Sequence, residues 1–239
     1  MDFFIKGWRY WPVENGQDGS NSLLVNYEWP TLPQVPVMQR RRLSPLTKIA
    51  FDVAFSQEIT ATAPMVFASR HGDLHKTLEL LRDVVQQQPL SPTQFALSVH
   101  NAIAGQFSIF TQHQAEHSSV SAGDSTLHFA VMEAVAMLDA DDCPEVLVVY
   151  ADQPVPDVYK GFTGQPAVPV AMALLISINQ GMAVSLRHRA VPVSGADAAL
   201  TADEADLLHM FLQSGTTNCS ITASRACWQW QRRTHEPVS

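Results

Sequence analysis

Thr126-Leu-His-Phe-Ala130-Val-Met-Glu-Ala134-Val-Ala-Met-Leu138, followed a few residues on by Pro144-Glu-Val-Leu-Val-Val-Tyr150, decides the fold class. The first segment reads as a helix that is apolar nearly all round, with Leu127, Phe129, Val131, Met132 and Val135 pointing in several directions. A helix of that kind is expected to be buried on all sides. The second is a short apolar run bounded by a proline, which reads as a buried strand. A buried helix leading into a buried strand points to a layered α/β domain.

The same alternation continues outward. Upstream, Ser44-Pro45 opens a helix to about Ser56 with Leu46, Ile49, Ala50, Val53 and Ala54 on one face. Residues 64–69 form a short apolar strand, and Gly72-Asp73 caps a helix carrying Leu74, Leu78, Leu81 and Val85. Ser91-Pro92-Thr93 starts a helix through Phe95, Val99, Ile103 and Ala104 that Gly105 stops, after which residues 107–111 read as a strand. Downstream, residues 169–178 are a buried strand, with 183–188 as its hairpin partner across Asn179-Gln180-Gly181. Thr201 opens a last helix over 203–213, before a Trp-rich tail ending in Arg232-Arg233. The first 45 residues, rich in aromatics, Pro and Gly, read as short strands and turns of the same domain. Residues 1–239 are thus read as a single domain whose C-terminal tail begins at about 201.

Composition narrows the function. Hydrophobic residues make up 46% and charged residues only 16%, a thinly charged surface that suggests a partner covers part of it. A formal net charge of −8 argues against nucleic acid, which needs clustered Lys and Arg. Arg40-Arg41-Arg42 is adequately read as a solvated turn. The three cysteines, Cys143, Cys219 and Cys227, form no CxxC pair, so neither a zinc site nor a disulfide framework is indicated. The N-terminus lacks a signal-peptide pattern, and the apolar run at 168–178 is too short to span a bilayer. The expectation is a soluble cytoplasmic protein without stable membrane insertion.

Three motifs invite enzymatic readings. Met65-Val-Phe-Ala-Ser-Arg70-His71-Gly72 has the strand-then-Arg-His-Gly layout of histidine phosphatases, with His71 as phosphoryl acceptor and Arg70 as phosphate clamp. It is three residues long and no second catalytic histidine is evident, so a helix-entry turn is the simpler account. Gly123-Asp124-Ser125 lacks the GxSxG elbow of serine hydrolases; a helix start, with Asp124 or Ser125 accepting from backbone N–H groups, explains it. His71 with His75, and His113 with His117, have helical ligand spacing but no third ligand, so no metal and no cofactor are expected.

The most informative text is Ser91-Pro-Thr-Gln-Phe95, then Ser98-Val-His-Asn101-Ala-Ile-Ala-Gly105-Gln-Phe-Ser-Ile109. It resembles the region before the active-site cysteine of β-ketoacyl synthases, where a helix with Asn and Ala-Gly leads into a Ser-Ile strand. In that family a strand ending at the nucleophile and an Ala-rich helix come next. His117-Ser-Ser-Val-Ser121-Ala-Gly-Asp-Ser-Thr-Leu-His-Phe-Ala130-Val-Met-Glu-Ala134 is similar to that passage, and residues 145–152 and 166–178 to two later strands. The resemblance is closest to stand-alone ketosynthase-like N-terminal domain proteins of bacterial type II systems that make aryl polyenes. It implies a layered thiolase-like half, a mixed sheet with a buried central helix, that stops short of the C-terminal catalytic half.

Departures from the family pattern bear on activity. Ketosynthases hold their cysteine at the N-terminus of the buried helix, where backbone N–H groups favour a thiolate. Counting back from Glu133 puts that slot at Ser121, and counting forward from Phe110 puts it at Gly123. Neither count lands on a cysteine, and Ser121-Ala122-Gly123 is read as a degenerate slot. A serine there would need a base to become a nucleophile. With the two C-terminal catalytic histidines of the family also missing, the resemblance implies a pseudoenzyme of the chain-length-factor type. Such a subunit would form a heterodimer with a catalytic ketosynthase in polyketide or fatty-acid-like synthesis, and would meet acyl carrier protein only through that partner. Asn101, Gly105, Phe107, Ile109, Leu127, His128 and Met132 are then the residues expected to line or support the shared interface and acyl pocket. The tail over residues 207–230 would close one face of the central helix and the partner the other.

Overall fold

A computed structural model of the chain describes residues 1–11, 29–140, 143–163, 168–191 and 202–233. Its strands are β1 (Asp2–Trp11), β2 (Met65–Ala68), β3 (His117–Val120), β4 (Glu145–Asp152), β5 (Val170–Ser177), β6 (Met182–Ala190), β7 (Asn218–Thr222) and β8 (Ala226–Arg232). Together they make one sheet in the order β3-β2-β4-β5-β1-β6-β8-β7. β2 is parallel to β3 and β4, and the remaining neighbours are antiparallel. The helices are α1 (Val37–Arg40), α2 (Pro45–Phe55), α3 (Leu74–Val85), α4 (Pro92–Ala96), α5 (Ala102–Thr111), α6 (Thr126–Ala140) and α7 (Glu204–Gln213).

Strand β4 shows why this is a three-layer fold. Its side chains alternate between two cores: Val146, Val148 and Tyr150 face α6 and α7, while Leu147, Val149 and Ala151 face α2 and α5. A strand buried on both faces reads as an unbroken apolar run, which is what the sequence shows. On the α2 side, Phe51 meets Phe107 and Phe110 edge-on at 5.7 and 5.8 Å. Helix α2 is started by the Ser44 hydroxyl, which accepts from the Thr47 N–H at 3.2 Å, with Pro45 in the first helical position. On the other side α6 lies across β2, β3 and β4, and α7 packs on β5 and β7, so that both helices and β8 contribute to one core.

Four expectations from sequence need correction. Residues 107–111 are helical: α5 runs from Ala102 to Thr111 with Gly105 inside it, and α4 is a separate short helix. Ile103, Ala104 and Phe107 bury at helical spacing, and that face outweighs the strand preference of Phe-Ser-Ile-Phe. Residues 183–188 are not the hairpin partner of β5, because β1 inserts between β5 and β6: Phe4 pairs with both Ser177 and Ala183. The 179–181 turn arches past β1, and Gly181, at φ +106°, has no room for a Cβ because the Ile5 carbonyl fills the space. The Asp73 side chain makes no cap to α3 and pairs instead with Lys76 at 3.3 Å.

The fourth concerns burial. Helix α6 is not enclosed all round: Phe129, Glu133 and Ala136 form an outer strip open to solvent, while Leu127, Ala130, Val131 and Ala134 are fully buried. Conversely, only Leu80 of α3 is buried, and the stripe expected to face the core ends in exposed Leu81 and Val85. Thr201, the expected start of the last helix, lies outside the described residues; α7 begins at Glu204 with Asp203 as its cap. No helix among the described residues is long and apolar enough to cross a membrane.

Candidate functional site

Parallel register places the site. Ala68, the last residue of β2, stands beside Tyr150 of β4, and two residues further on the Arg70 backbone meets Asp152, where β4 ends. The Ser69 hydroxyl donates to Asp152 Oδ1 at 2.9 Å, and the Arg70 backbone N–H donates to both Asp152 oxygens at 3.0 Å. The tail supplies the next layer. Asp203 caps α7, accepting from the Ala205 N–H at 2.9 Å, and also accepts from the Tyr150 hydroxyl at 3.0 Å. Its second oxygen lies 3.3 Å from Arg70 Nη2. The Arg70 guanidinium is further flanked by Asp152 at 3.9 Å and Asp124 at 3.7 Å.

Glu204 carries this network to α6. Oε1 accepts from the Leu127 backbone N–H at 2.8 Å, and Oε2 shares a proton with His128 Nδ1 at 2.6 Å. The His128 ring stacks on Trp228 at 4.9 Å, and Trp228 Nε1 donates to the Ser125 hydroxyl at 2.9 Å. Burial dominates the titration of all these groups. It pushes Asp203 up to about 7, with the neighbouring Glu204 charge adding to it, and Glu204 up to about 8. Burial also raises Asp152 and pushes His128 down to about 3, so the imidazole is neutral. Arg70 is desolvated too, but Tyr150, Asp152, Asp203 and Glu204 around it hold it charged.

The 121–123 turn, expected from sequence to be a degenerate slot, adjoins this cluster. Ser121 is exposed at the end of β3, and its hydroxyl donates to the Arg70 carbonyl at 2.8 Å. Ala122 precedes a 3-10 turn (Gly123–Ser125) that runs straight into α6, and Gly123 takes φ +59° there. Asp124 and Ser125 do not cap the helix as the sequence suggested: Asp124 pairs with Arg70, and Ser125 accepts from Trp228. The Ala122 N–H is met by the Thr126 hydroxyl at 2.9 Å. None of the cysteines lies in this turn; Cys143 precedes β4, and Cys219 and Cys227 sit in β7 and β8.

The remaining sequence candidates divide by location. Phe107, Leu127 and His128 are enclosed in the chain's own core, Met132 and Gly105 are half-buried, and Asn101 and Ile109 stand on the surface. The Arg70-His71-Gly72 phosphatase reading is not supported. Arg70 is surrounded by carboxylates that disfavour a phosphate, and His71, lowered by burial, bonds Thr163 at 3.1 Å. His75 bonds the Pro154 carbonyl at 2.8 Å, and no group of three or more metal-ligating side chains occurs among the described residues. Sequence reasoning missed the cluster itself. Its one available signal was Asp152 directly after an unbroken apolar strand, a charge that must find a partner inside.

A mixed sheet, a buried central helix entered through a tight turn, and polar residues gathered at that turn define a ketosynthase-like half. The chain belongs to the beta-ketoacyl synthase N-terminal domain family, whose sequence profile matches residues 8–231. Among solved structures, it is similar to a chain of the ketosynthase (ApeO) in complex with its chain length factor (ApeC) from Xenorhabdus doucetiae. That match has 25% identity, covers 97% of this chain and 100% of that one, and reaches a TM-score of 0.79. The ishigamide ketosynthase/chain length factor shares the fold at 19% identity and a TM-score of 0.53, over 70% of this chain and 55% of that one. No curated protein matches the sequence.

Proposed function

We propose that this chain is a non-catalytic, chain-length-factor-type subunit that pairs with a catalytic β-ketoacyl synthase in a type II system. The observation that carries the reading is an apolar helix face turned away from the chain's own core. Helix α3 has Leu74, Leu78, Leu81 and Val85 at spacings that fall on one face, yet Leu81 is 48% and Val85 82% exposed. Phe95 of α4, which packs on α3, and Ile109 of α5 are 60% and 73% exposed. Helix α5 packs on β2 and β3, and β3 has no further strand beside it among the described residues. Exposed apolar side chains on three helices, together with an open strand edge, favour a protein partner. Family membership and the likeness to ketosynthase/chain length factor complexes favour a ketosynthase as that partner.

The chemistry of the turn agrees with a silent subunit. A condensing enzyme needs a thiolate at the start of the central helix; here that position offers Ser121, Ala122 and Gly123. In the complex, Asn101, Gly105, Ile109 and the 121–123 turn would lie toward the shared acyl pocket, while Phe107, Leu127, His128 and Met132 would support it from within. The products would be aryl polyenes or similar chains assembled in the cytoplasm, with acyl carrier protein docking on the ketosynthase.

Co-expression with the host's ketosynthase, followed by light scattering of the purified material, tests this. A one-to-one complex that condenses acyl units, while this chain alone does not, is the expected outcome. A monodisperse monomer that ignores the ketosynthase would sink the proposal.

A further inference from the structure

We infer that the Asp203–Glu204 pair of the tail is an electrostatic lock that prevents the turn at the start of α6 from hosting an anion beyond Asp124. The inference rests on contacts within this chain and stands whether or not a ketosynthase binds. The start of a helix normally favours negative charge, and a cysteine placed there ionises easily. In this chain that advantage is already taken. The Leu127 N–H in the first turn of α6 donates to Glu204, and the Ala122 N–H is met by Thr126.

Charge balance points the same way. One guanidinium, Arg70, is flanked by Asp124, Asp152 and Asp203 at 3.7, 3.9 and 3.3 Å, with Glu204 directly after Asp203 in the chain. Among the described residues, Lys76 pairs with Asp73 at 3.3 Å, and the titratable side chains of His128, Tyr150 and His71 add no positive charge. His128 is neutral, Tyr150 is held protonated, and burial lowers His71. On the far side of α7, Asp206 bonds the Tyr10 hydroxyl near His209, whose charging burial also disfavours. Among the described residues, four carboxylates gather around one guanidinium, and the raised values of Asp203 and Glu204 fit a proton held there near neutrality. An additional anion at the turn would have to form against that surplus.

The lock makes a prediction distinct from the mere loss of a cysteine: restoring a thiol does not restore a reactive thiolate. Ala122→Cys places a thiol at the residue that precedes the 3-10 turn. Its ionisation is read from the pH dependence of iodoacetamide alkylation at that site, resolved by peptide mass spectrometry between about pH 7 and 10, where Glu204 itself ionises. With the native tail, the thiol half-titrates at or above about 8.5, the value of a free cysteine. Adding Glu204→Gln lowers this by about half to one unit, giving roughly three- to tenfold more thiolate at a given pH.

A thiol that already titrates below about 7.5 with the native tail would overturn the lock, because that is the range of helix-start cysteines. So would an unmoved titration in a Glu204→Gln protein that still melts cooperatively. Should that variant fail to fold, Asp124→Asn removes the partly exposed member of the cluster. It is expected to shift the thiol in the same direction by a smaller amount, and no shift there would also overturn the lock.

Discussion

Helices α3 and α6 are both rich in Leu, Val and other apolar residues, yet the molecule treats them in opposite ways. Helix α6 lies across the parallel strands, and the tail meets its first turn through Glu204 and Trp228, so that Leu127, Ala130, Val131 and Ala134 have no exposure. Helix α3 hangs beyond the end of β2, touches α4 more than the sheet, and leaves Leu81, Val84 and Val85 in solvent. The contrast teaches that an apolar stripe records a need for burial without saying which chain satisfies it. In α6 this chain's own sheet meets most of the need; in α3 the stripe stays exposed, and the proposed partner would cover it.

Removing the cation that ties the tail over α6 gives the largest expected effect. Arg70→Met leaves Asp152 and Asp203 buried without their counter-charge and is expected to cost about 3–5 kcal/mol in urea unfolding. The loss should shrink as pH falls and the carboxylates protonate. A loss under about 1 kcal/mol would mean that the tail is held by packing alone.

The comparison itself is tested by matched truncations. Leu127→Ala in α6 should cost about 2–5 kcal/mol by thermal or urea melting, as expected for a fully buried leucine. Leu81→Ala in α3 should cost no more than about 0.5 kcal/mol in the isolated chain. Similar values for the two would show that α3 is enclosed in solution.

A smaller effect sharpens the α6 side. Asp203 and Glu204 sit above ordinary carboxylate values, at about 7 and about 8, so the folded chain keeps protons that the unfolded chain releases. Their contribution is therefore full below about pH 4 and is lost as pH rises through 7 to 8. His128 works in the other direction: held near 3, it costs stability as pH falls below the ordinary histidine value of about 6.5. Glu204→Gln should accordingly flatten the decline in melting temperature between about pH 5 and 8. An unchanged slope would place the titrating group elsewhere.

Much of the framework was legible because it depends on local pattern. Strands β2, β4 and β5 are unbroken apolar runs, α2 shows helical spacing with a clear Ser-Pro start, and α6 stands out as a long apolar helix. What was not legible depends on distance. Nothing in Asn179-Gln180-Gly181 reveals that β1, from the other end of the chain, lies between the two strands that turn joins. The cluster unites residues 70, 128, 152, 203 and 204, each of which, taken singly, looks like a cap or a surface charge. The turn at 121–123 was found only through the family resemblance, since Ser-Ala-Gly has no chemistry of its own to announce it.

The central claim is that the outward face of α3 belongs to a ketosynthase, and a binding isotherm tests it most directly. Native chain and a Leu81→Glu/Val85→Glu variant would be titrated against the host's ketosynthase by calorimetry. The account predicts an unchanged melting temperature for the variant alone and at least a tenfold loss of affinity, about 1.4 kcal/mol. Equal affinity for the two proteins would contradict it and assign that face to something other than the ketosynthase.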